Sequence, residues 1–349
     1  MNEVHRIDLP RIVLVGRGVL ELLGDVCDEL ELQHPLIVTG KRTYDIAGMR
    51  AENILTEGGH QVEITFVSNA DLGTVDRVNK EAVAAGSDVV IGVGGGRTID
   101  IAKLSASKSN TYFISVPTTA SHDGISSCLA SIKGLGKPYS MKAIAPIAVL
   151  ADSQIIAESP YRFTASGCGD VVSKAVSVRD WRLAHEVNGE YYGEYAGSLA
   201  LMSSNLIIRN AQLIKERQEA GYRTLLEALV SCGVAMSIAG SSRPCSGSEH
   251  LFSHTLDMIA PEPALHGEQC GVGAIMMAKL HGLDWHSVRE TLKIIGAPTT
   301  AQDLGISQDV LVNALVKART IRPERYTILD KVKLTEKSAR SLAKECMVT

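Results

Sequence analysis

The stretch Asp88 to Lys103, DVVIGVGGGRTIDIAK, decides the fold. Asp88 to Val93 is a short apolar run rich in β-branched residues, the pattern of a strand buried on both faces. Gly94-Gly95-Gly96 interrupts it, and the spacing predicts a helix from about Thr98. Glycines after a buried strand let the backbone approach a pyrophosphate, and the next helix offers free N–H groups and a positive dipole end. Gly94, Gly95, Gly96, Arg97 and Thr98 are therefore candidate cofactor contacts. The spacing is not GxGxxG, and a purely structural tight turn would use the same three glycines.

Outward from this turn, the first half alternates strands and helices. Pro35 to Thr39, Val62 to Val67 and Tyr112 to Val116 have strand character. Asp71 to Ala85 has helical spacing, with Leu72, Val75, Val78, Ala82 and Val83 on one side. Ala143 to Leu150 adds a strand whose Pro146 implies an edge position or irregular pairing. Alternation of this kind implies a mainly parallel sheet covered on both faces. After Asp152 the texture becomes helical: Gly193 to Glu216, Tyr222 to Ala239, Ser248 to Ile259 and Gly267 to Leu280. Gly240 to Gly247 is a loop by composition, and Ser246 or Ser248 is placed to cap the helix that follows. The expected organisation is a Rossmann-like domain over residues 1–152 and a helical domain over 153–349, with the active site in the cleft between them.

Composition narrows the function. A chain of 349 residues with 45% hydrophobic residues has material for two domains and a sizeable core. Net charge is −4, aromatics are 4% and there is no dense basic run, which argues against nucleic acid and anionic membranes as partners. The charged stretch Met1 to Pro10 lacks a signal core, and no run approaches about 18 uninterrupted apolar residues. Seven cysteines without CxxC spacing fit reduced thiols, so a cytoplasmic location is expected.

The second half carries a candidate metal site. Asp170, His250 and His266, with His254 beside them, sit in GCGD, SGSEH and LHGE settings. One carboxylate and two imidazoles suit a divalent ion with an open coordination position. Zinc is expected, one per subunit, with iron or nickel as credible substitutes. His250 and His254 share a helical face, but Leu251 stands where a metalloprotease has its Glu. Cys270, one turn after His266, is either a soft fourth ligand or a buried thiol.

Two further features bear on ligands. Pro117-Thr118-Thr119-Ala120-Ser121-His122-Asp123 follows a strand, at the ligand-binding edge of such a sheet. Asp123 suits a substrate or ribose hydroxyl, or a capping carboxylate. Thr39-Gly40-Lys41-Arg42 stands where a carboxylate would repel a 2′-phosphate, which predicts that NADP is tolerated as well as NAD.

Taken together, GVGGGRTIDIAK, SVPTTASHDGISS, SGCGDVVSK, SSRPCSGSEHLFSH and LHGEQCGVG resemble the archaeal-type glycerol-1-phosphate dehydrogenase family, within the iron-containing alcohol dehydrogenase and glycerol dehydrogenase superfamily. The resemblance covers nearly the whole chain, in matching order. It implies a Rossmann-like domain followed by an all-helical domain, as in dehydroquinate synthase. It implies NAD(P)H-linked reduction of dihydroxyacetone phosphate to sn-glycerol 1-phosphate, which supplies the backbone of archaeal membrane lipids. Asp170, His250 and His266 would hold the metal. Gly96 to Asp100 (with Ile99 between), Thr118, Thr119, Ala120, Ser121 and Ser127 would contact the dinucleotide. Asp123, Asp170 and His254 would contact substrate, Asp123 holding the C1 hydroxyl and His254 relaying a proton. Arg243, Lys142 or Lys174 would bind the substrate phosphate, Arg being suited to bidentate recognition. A homo-oligomer is expected. The rivals are a neutral-polyol dehydrogenase, a dehydroquinate synthase-like lyase, which should use Glu at position 170, and a nucleotide-binding regulator with a structural metal, which would favour thiolate ligands.

Overall fold

The structure is a computed structural model that describes residues 7–132 and 139–349. The signal-free reading of the first six residues lies outside that range. The chain forms two compact units, Met1–Pro160 and Tyr161–Thr349.

The first unit is built on six parallel strands: β1 (Ile12–Gly16), β2 (Pro35–Thr39), β3 (Glu63–Phe66), β4 (Val89–Gly94), β5 (Tyr112–Pro117) and β8 (Ala148–Asp152). Their order is β1-β8-β5-β4-β2-β3. A small antiparallel hairpin, β6 (Leu129–Ile132) with β7 (Tyr139–Lys142), stands apart from the sheet. Helices α1 (Leu23–Glu29), α2 (Lys41–Thr43), α3 (Met49–Glu57), α4 (Leu72–Ala84), α5 (Gly96–Ser109) and α6 (Ser153–Glu158) complete this unit. Neighbouring residues of β4 feed opposite cores. Val89, Ile91 and Val93 join Leu23, Val26 and Leu55 on one face, while Val90 joins Val75, Ile99 and Phe113 on the other. A strand covered on both faces needs no polar alternation, which is why β2 and β4 are continuous apolar runs.

Two expectations change here. The strand expected over Ala143 to Leu150 starts only at Ala148 and lies between β1 and β5, inside the sheet. Pro146 precedes it and so removes no ladder hydrogen bond. The edge is taken instead by β1, whose Val13 is exposed; its short, partly exposed run gave no clear strand signal.

The second unit is helical: α7 (Tyr161–Val172), α8 (Lys174–Asn188), α9 (Glu194–Arg209), α10 (Ala211–Lys215), α11 (Glu219–Ala239), α12 (Ser248–Ile259), α13 (His266–Leu280), α14 (Trp285–Ile295), α15 (Gln308–Lys317), α16 (Ile328–Val332) and α17 (Glu336–Glu345). The single helix expected over Gly193 to Glu216 breaks at Asn210, whose side-chain amide donates to Leu206 O at 2.9 Å. Gly167 to Asp170, which have no helical periodicity to announce them, lie inside α7. Neither Ser246 nor Ser248 caps α12. The N-cap is Gly247, and the orphan donors go to carboxylates: Ser248 N–H to Asp180 Oδ2 at 2.6 Å and Gly247 N–H to Glu249 Oε1 at 2.9 Å. Among the described helices α11 alone has the length and composition to cross a membrane, but 67% of that window is buried, as befits a core helix packed on α7 and α9.

Beneath the glycine turn, Lys103 is fully buried on α5. Its ammonium donates to Gly124 O at 2.8 Å and Leu129 O at 2.7 Å and lies 3.6 Å from Asp100 Oδ1. Asp100 accepts from Ser131 N–H at 3.0 Å, so the pair ties the hairpin to α5. Burial pulls the lysine down and pushes the Asp100 carboxyl up, each resisted by its partner. Removing one member of a buried pair strands the other. Lys103→Met is expected to lower the unfolding free energy by about 3 kcal/mol, measured by urea denaturation; a change within about 0.5 kcal/mol, the scale of an inert surface substitution, would refute the assignment.

Candidate functional site

In the first unit, three loops leave the sheet at one edge. Thr39 of β2 lies opposite Val93 of β4, and Gly94 of β4 lies opposite Pro117 of β5. Thr39 to Arg42, Gly94 to Gly96 and Pro117 to Thr119 therefore emerge together at the carboxyl ends, where ligands bind in sheets of this type. α5 begins at Gly96 with Gly95 as a cap that has no side chain to spend on the free N–H groups. A Cβ on Gly96 would sit 2.2 Å from His122 Nε2, so the imidazole would have to move to admit one. Thr118 N–H donates to Gly94 O at 3.0 Å, and Thr118 Oγ1 is buried without a hydrogen-bond partner. Lys41 and Arg42 are exposed.

The other expected cofactor contacts differ in availability. Arg97 is exposed, its guanidinium 3.4 Å from Ser68 O. Thr98 and Ala120 are buried, while Thr119 and Ser121 are half-buried. Ser127 is buried and donates to Leu129 O at 3.2 Å. Ile99 is a core residue whose N–H is bonded to Gly95 O, and Asp100 faces Lys103 and the hairpin. Both are committed within the unit. Asp123 opens a 3-10 turn that runs to Ile125, and its carbonyl accepts from Ser126 and Ser127 N–H.

In the second unit, the structure brings Asp170 of α7, His250 of α12 and His266 and Cys270 of α13 together, with one potential ligand atom of each within 4.8 Å of all the others. The helices reach this proximity because α7 and α13 touch backbone to backbone. A Cβ on Gly169 would lie 2.3 Å from Gly267 O, and one on Gly267 would lie 1.9 Å from Ser166 O. Each glycine is the chain neighbour of a ligand candidate, Asp170 or His266.

The imidazoles are held in one tautomer by their partners. His250 Nδ1 lies 2.7 Å from Glu249 Oε1, which also accepts from Ser177 Oγ at 2.5 Å and from Gly247 N–H. A carboxylate oxygen surrounded by donors accepts from Nδ1–H, leaving Nε2 as an acceptor, 3.7 Å from Asp170 Oδ1. His266 Nδ1 lies 3.1 Å from Ser253 Oγ, whose own proton goes to Gln269 Oε1 at 3.0 Å. His266 Nε2 is thereby left as an acceptor. Carboxylate or hydroxyl partners on Nδ1 are the usual support of metal-binding histidines, and on this observation the residues fit a metal.

Charge points the same way. Burial alone would push the Asp170 carboxyl up, but Lys174, 2.5 Å away, and the two histidines hold it below the usual carboxylate range. Burial, Lys174 and His266 keep His250 well below the usual imidazole range, hence neutral at pH 7. An ionised carboxylate and neutral imidazoles are the forms that ligate. Burial and Asp170 push the Cys270 thiol well up, and its sulfur lies 3.5 Å from His266 Nε2. His254 is buried one turn beyond His250; its Nδ1 has no hydrogen-bond partner and lies 3.8 Å from Asp257 Oδ2. Its ring stacks on His266 with centroids 5.9 Å apart.

The three expected phosphate ligands fare differently. Arg243 is buried with its fork on the Glu190 carboxylate and Nη1 on Tyr326 O at 3.0 Å, and Lys174 is fully buried against Asp170 and Cys245 O. Both charges are spent inside the protein. Lys142 is exposed on β7 of the other unit. Glu249 and Asp180 were missed by sequence reasoning. The position of Glu249, directly before His250, was the available signal.

Residues 14–160 match the family model for iron-containing alcohol dehydrogenase. The glycerol-1-phosphate dehydrogenase [NAD(P)+] of Methanosarcina acetivorans is 52% identical over 98% of this chain and 96% of its own length. That of Pyrococcus horikoshii is 51% identical, over 98% and 99%. The chain belongs to the glycerol-1-phosphate dehydrogenase family. Its fold is shared with glycerol dehydrogenase from Schizosaccharomyces pombe (TM-score 0.80, 20% identity, 100% of this chain and 94% of the other) and a probable glycerol dehydrogenase from Sinorhizobium meliloti (TM-score 0.78, 23% identity, 98% of each). At those identities the likeness is one of fold.

Glu249 engages His250 Nδ1 and is not itself among the clustered ligand candidates. Glu249→Gln is expected to weaken zinc binding roughly 10- to 100-fold, read by chelator competition. Affinity equal to wild type would remove Glu249 from the site.

Proposed function

We propose that the chain catalyses the NAD(P)H-linked, metal-dependent reduction of dihydroxyacetone phosphate to sn-glycerol 1-phosphate, the step that sets the backbone stereochemistry of archaeal membrane lipids. The observation that carries this reading is the cluster of buried Asp170 and His250 with half-buried His266, with both Nδ1 atoms engaged elsewhere. The half-identical relatives named glycerol-1-phosphate dehydrogenase supply the substrate.

Asp170, His250 and His266 would hold one zinc per subunit; the same N/O donors accept iron or nickel. Bound there, the metal supplies Lewis acidity towards the negative charge that develops on the C2 oxygen. The reduced nicotinamide supplies the hydride. The chain's own residues do the rest. Lys174 keeps Asp170 ionised in a fully buried setting. Asp170 also belongs with the substrate contacts, as does Asp123, which would hold the C1 hydroxyl. His254 would deliver the proton to the C2 oxygen, a role consistent with its buried Nδ1, which makes no hydrogen bond and has only Asp257 Oδ2 nearby, at 3.8 Å. Cys270 is left out of this ligand set, since in the protein alone burial and Asp170 push its thiol well up.

The N–H groups at the start of α5, with Gly94 to Thr98 around them, would take the pyrophosphate. Thr118, Thr119, Ala120, Ser121 and Ser127 would line the remaining dinucleotide contacts. Lys41 and Arg42, at the same sheet edge and exposed, suit a 2′-phosphate, so both NADH and NADPH should serve. No disulfide joins any of the seven cysteines, in keeping with a reducing, cytoplasmic setting. Association into a homo-oligomer completes the reading.

The test is oxidation of NADH and NADPH by dihydroxyacetone phosphate before and after chelation, with the product offered to an sn-glycerol-3-phosphate dehydrogenase. Turnover that chelation abolishes and zinc restores, to a product that enzyme leaves untouched, is expected. Turnover with dihydroxyacetone or another neutral carbonyl but not with the phosphate would move the chain to the polyol branch.

A further inference from the structure

The substrate phosphate needs a cation, and the obvious ones in the helical unit are neutralised. Arg243 is spent on Glu190 and Lys174 on Asp170. Arg325 is different. It lies in the turn Arg322-Pro323-Glu324-Arg325, closed by Arg325 N–H to Arg322 O at 2.9 Å, just before α16. Its guanidinium is mostly buried, yet it bonds only neutral oxygens: Ser246 O at 2.5 Å and Ser242 Oγ at 2.7 Å. Among the described residues no carboxylate lies within ion-pairing distance. Its nearest charged company is largely of its own sign. Burial, then Arg243, then Arg322 pull it down to about 10, with Glu190 and Glu249 only partly opposing. A buried cation without a counter-ion is costly, and two of its five N–H donors account for its bonds.

Its position relates it to the metal cluster. Ser246, which it grips, is four residues before His250 on the segment that enters α12. One carboxylate pins both segments: Asp180 accepts from Ser248 N–H at 2.6 Å and from Ile328 N–H at 2.7 Å. Ser248 Oγ, on the same segment, is buried without a hydrogen-bond partner. In dihydroxyacetone phosphate the phosphate is joined to the carbonyl carbon through one methylene and an ester oxygen, so its receptor must lie close to the group that handles the carbonyl.

We propose that Arg325, flanked by Arg322 and Ser242, binds the phosphate of the substrate and so separates phosphorylated from neutral substrates. This rests on the dehydrogenase reading above and names the residue behind its specificity. Arginine presents a planar fork to a phosphate, and the phosphate is the counter-ion that the buried guanidinium lacks.

Two measurements test it on the zinc-loaded enzyme. The first is calorimetric binding of inorganic phosphate with NADH bound, so that the glycine turn is already filled. Wild type should bind, Arg325→Met should bind about 10- to 100-fold more weakly, and Arg325→Lys should fall between. The second is kcat/KM for dihydroxyacetone phosphate against dihydroxyacetone. Arg325→Met should lose about tenfold or more on the phosphate and nothing on the neutral ketone, with zinc content and far-UV dichroism unchanged. Phosphate binding that is absent in wild type or undiminished in Arg325→Met overturns the proposal, as does an equal loss on both ketones. Wild-type turnover confined to the neutral ketone would instead sink the functional reading, while the phosphate titration still decides the role of Arg325.

Discussion

The second unit depends on the backbone contact between α7 and α13. Two helices normally stand apart by the length of their side chains. Here Gly169 and Gly267 remove the side chains at the crossing, and any Cβ would strike the opposite backbone. Because Asp170 follows Gly169 and His266 precedes Gly267, the contact fixes a carboxylate and an imidazole from distant parts of the chain at ligating separation. α12, packed on α13, then has only to present His250.

This proximity gathers charged groups in a buried space, and the surroundings are arranged to make that tolerable. Lys174 answers Asp170, Glu249 accepts a hydrogen bond from His250 Nδ1, and Asp180 holds His281 together with the N–H groups of Ser248 and Ile328. The network is nearly satisfied, in the sense that buried polar groups require. Besides unpartnered oxygens on Ser248 and Glu249, two gaps bear on substrate: His254 Nδ1 lacks a hydrogen bond, and Arg325 lacks an anion. Both gaps are of the kind a phosphorylated ketone would fill, an oxygen to receive a proton and a charge to complete a pair.

Much of this was legible in the sequence. β2 and β4 are visible as apolar runs because both of their faces are covered, and the glycine turn is visible as three glycines directly after such a run. The ligand candidates stood out because histidines near glycine are rare enough to notice. What stayed hidden was relational. The glycines of GCGD and LHGE carry no mark of being the crossing point of two helices, and pairing across about 100 residues leaves no local period. β1 was hidden by its edge position, which dilutes the buried pattern. Arg243 looked like a phosphate ligand because its charge was visible and its partner, Glu190, was not.

The claim on which the rest hangs is that the α7–α13 contact builds a metal centre of one carboxylate and two imidazoles, with a ligand position left for substrate. X-ray absorption at the zinc edge of the zinc-loaded protein tests it directly. The account predicts a first shell of nitrogen and oxygen only, near roughly 2.0–2.1 Å, and its loss of one oxygen scatterer in Asp170→Ala. A sulfur shell near roughly 2.3 Å would make Cys270 a ligand, close the open position and contradict the catalytic reading of the site.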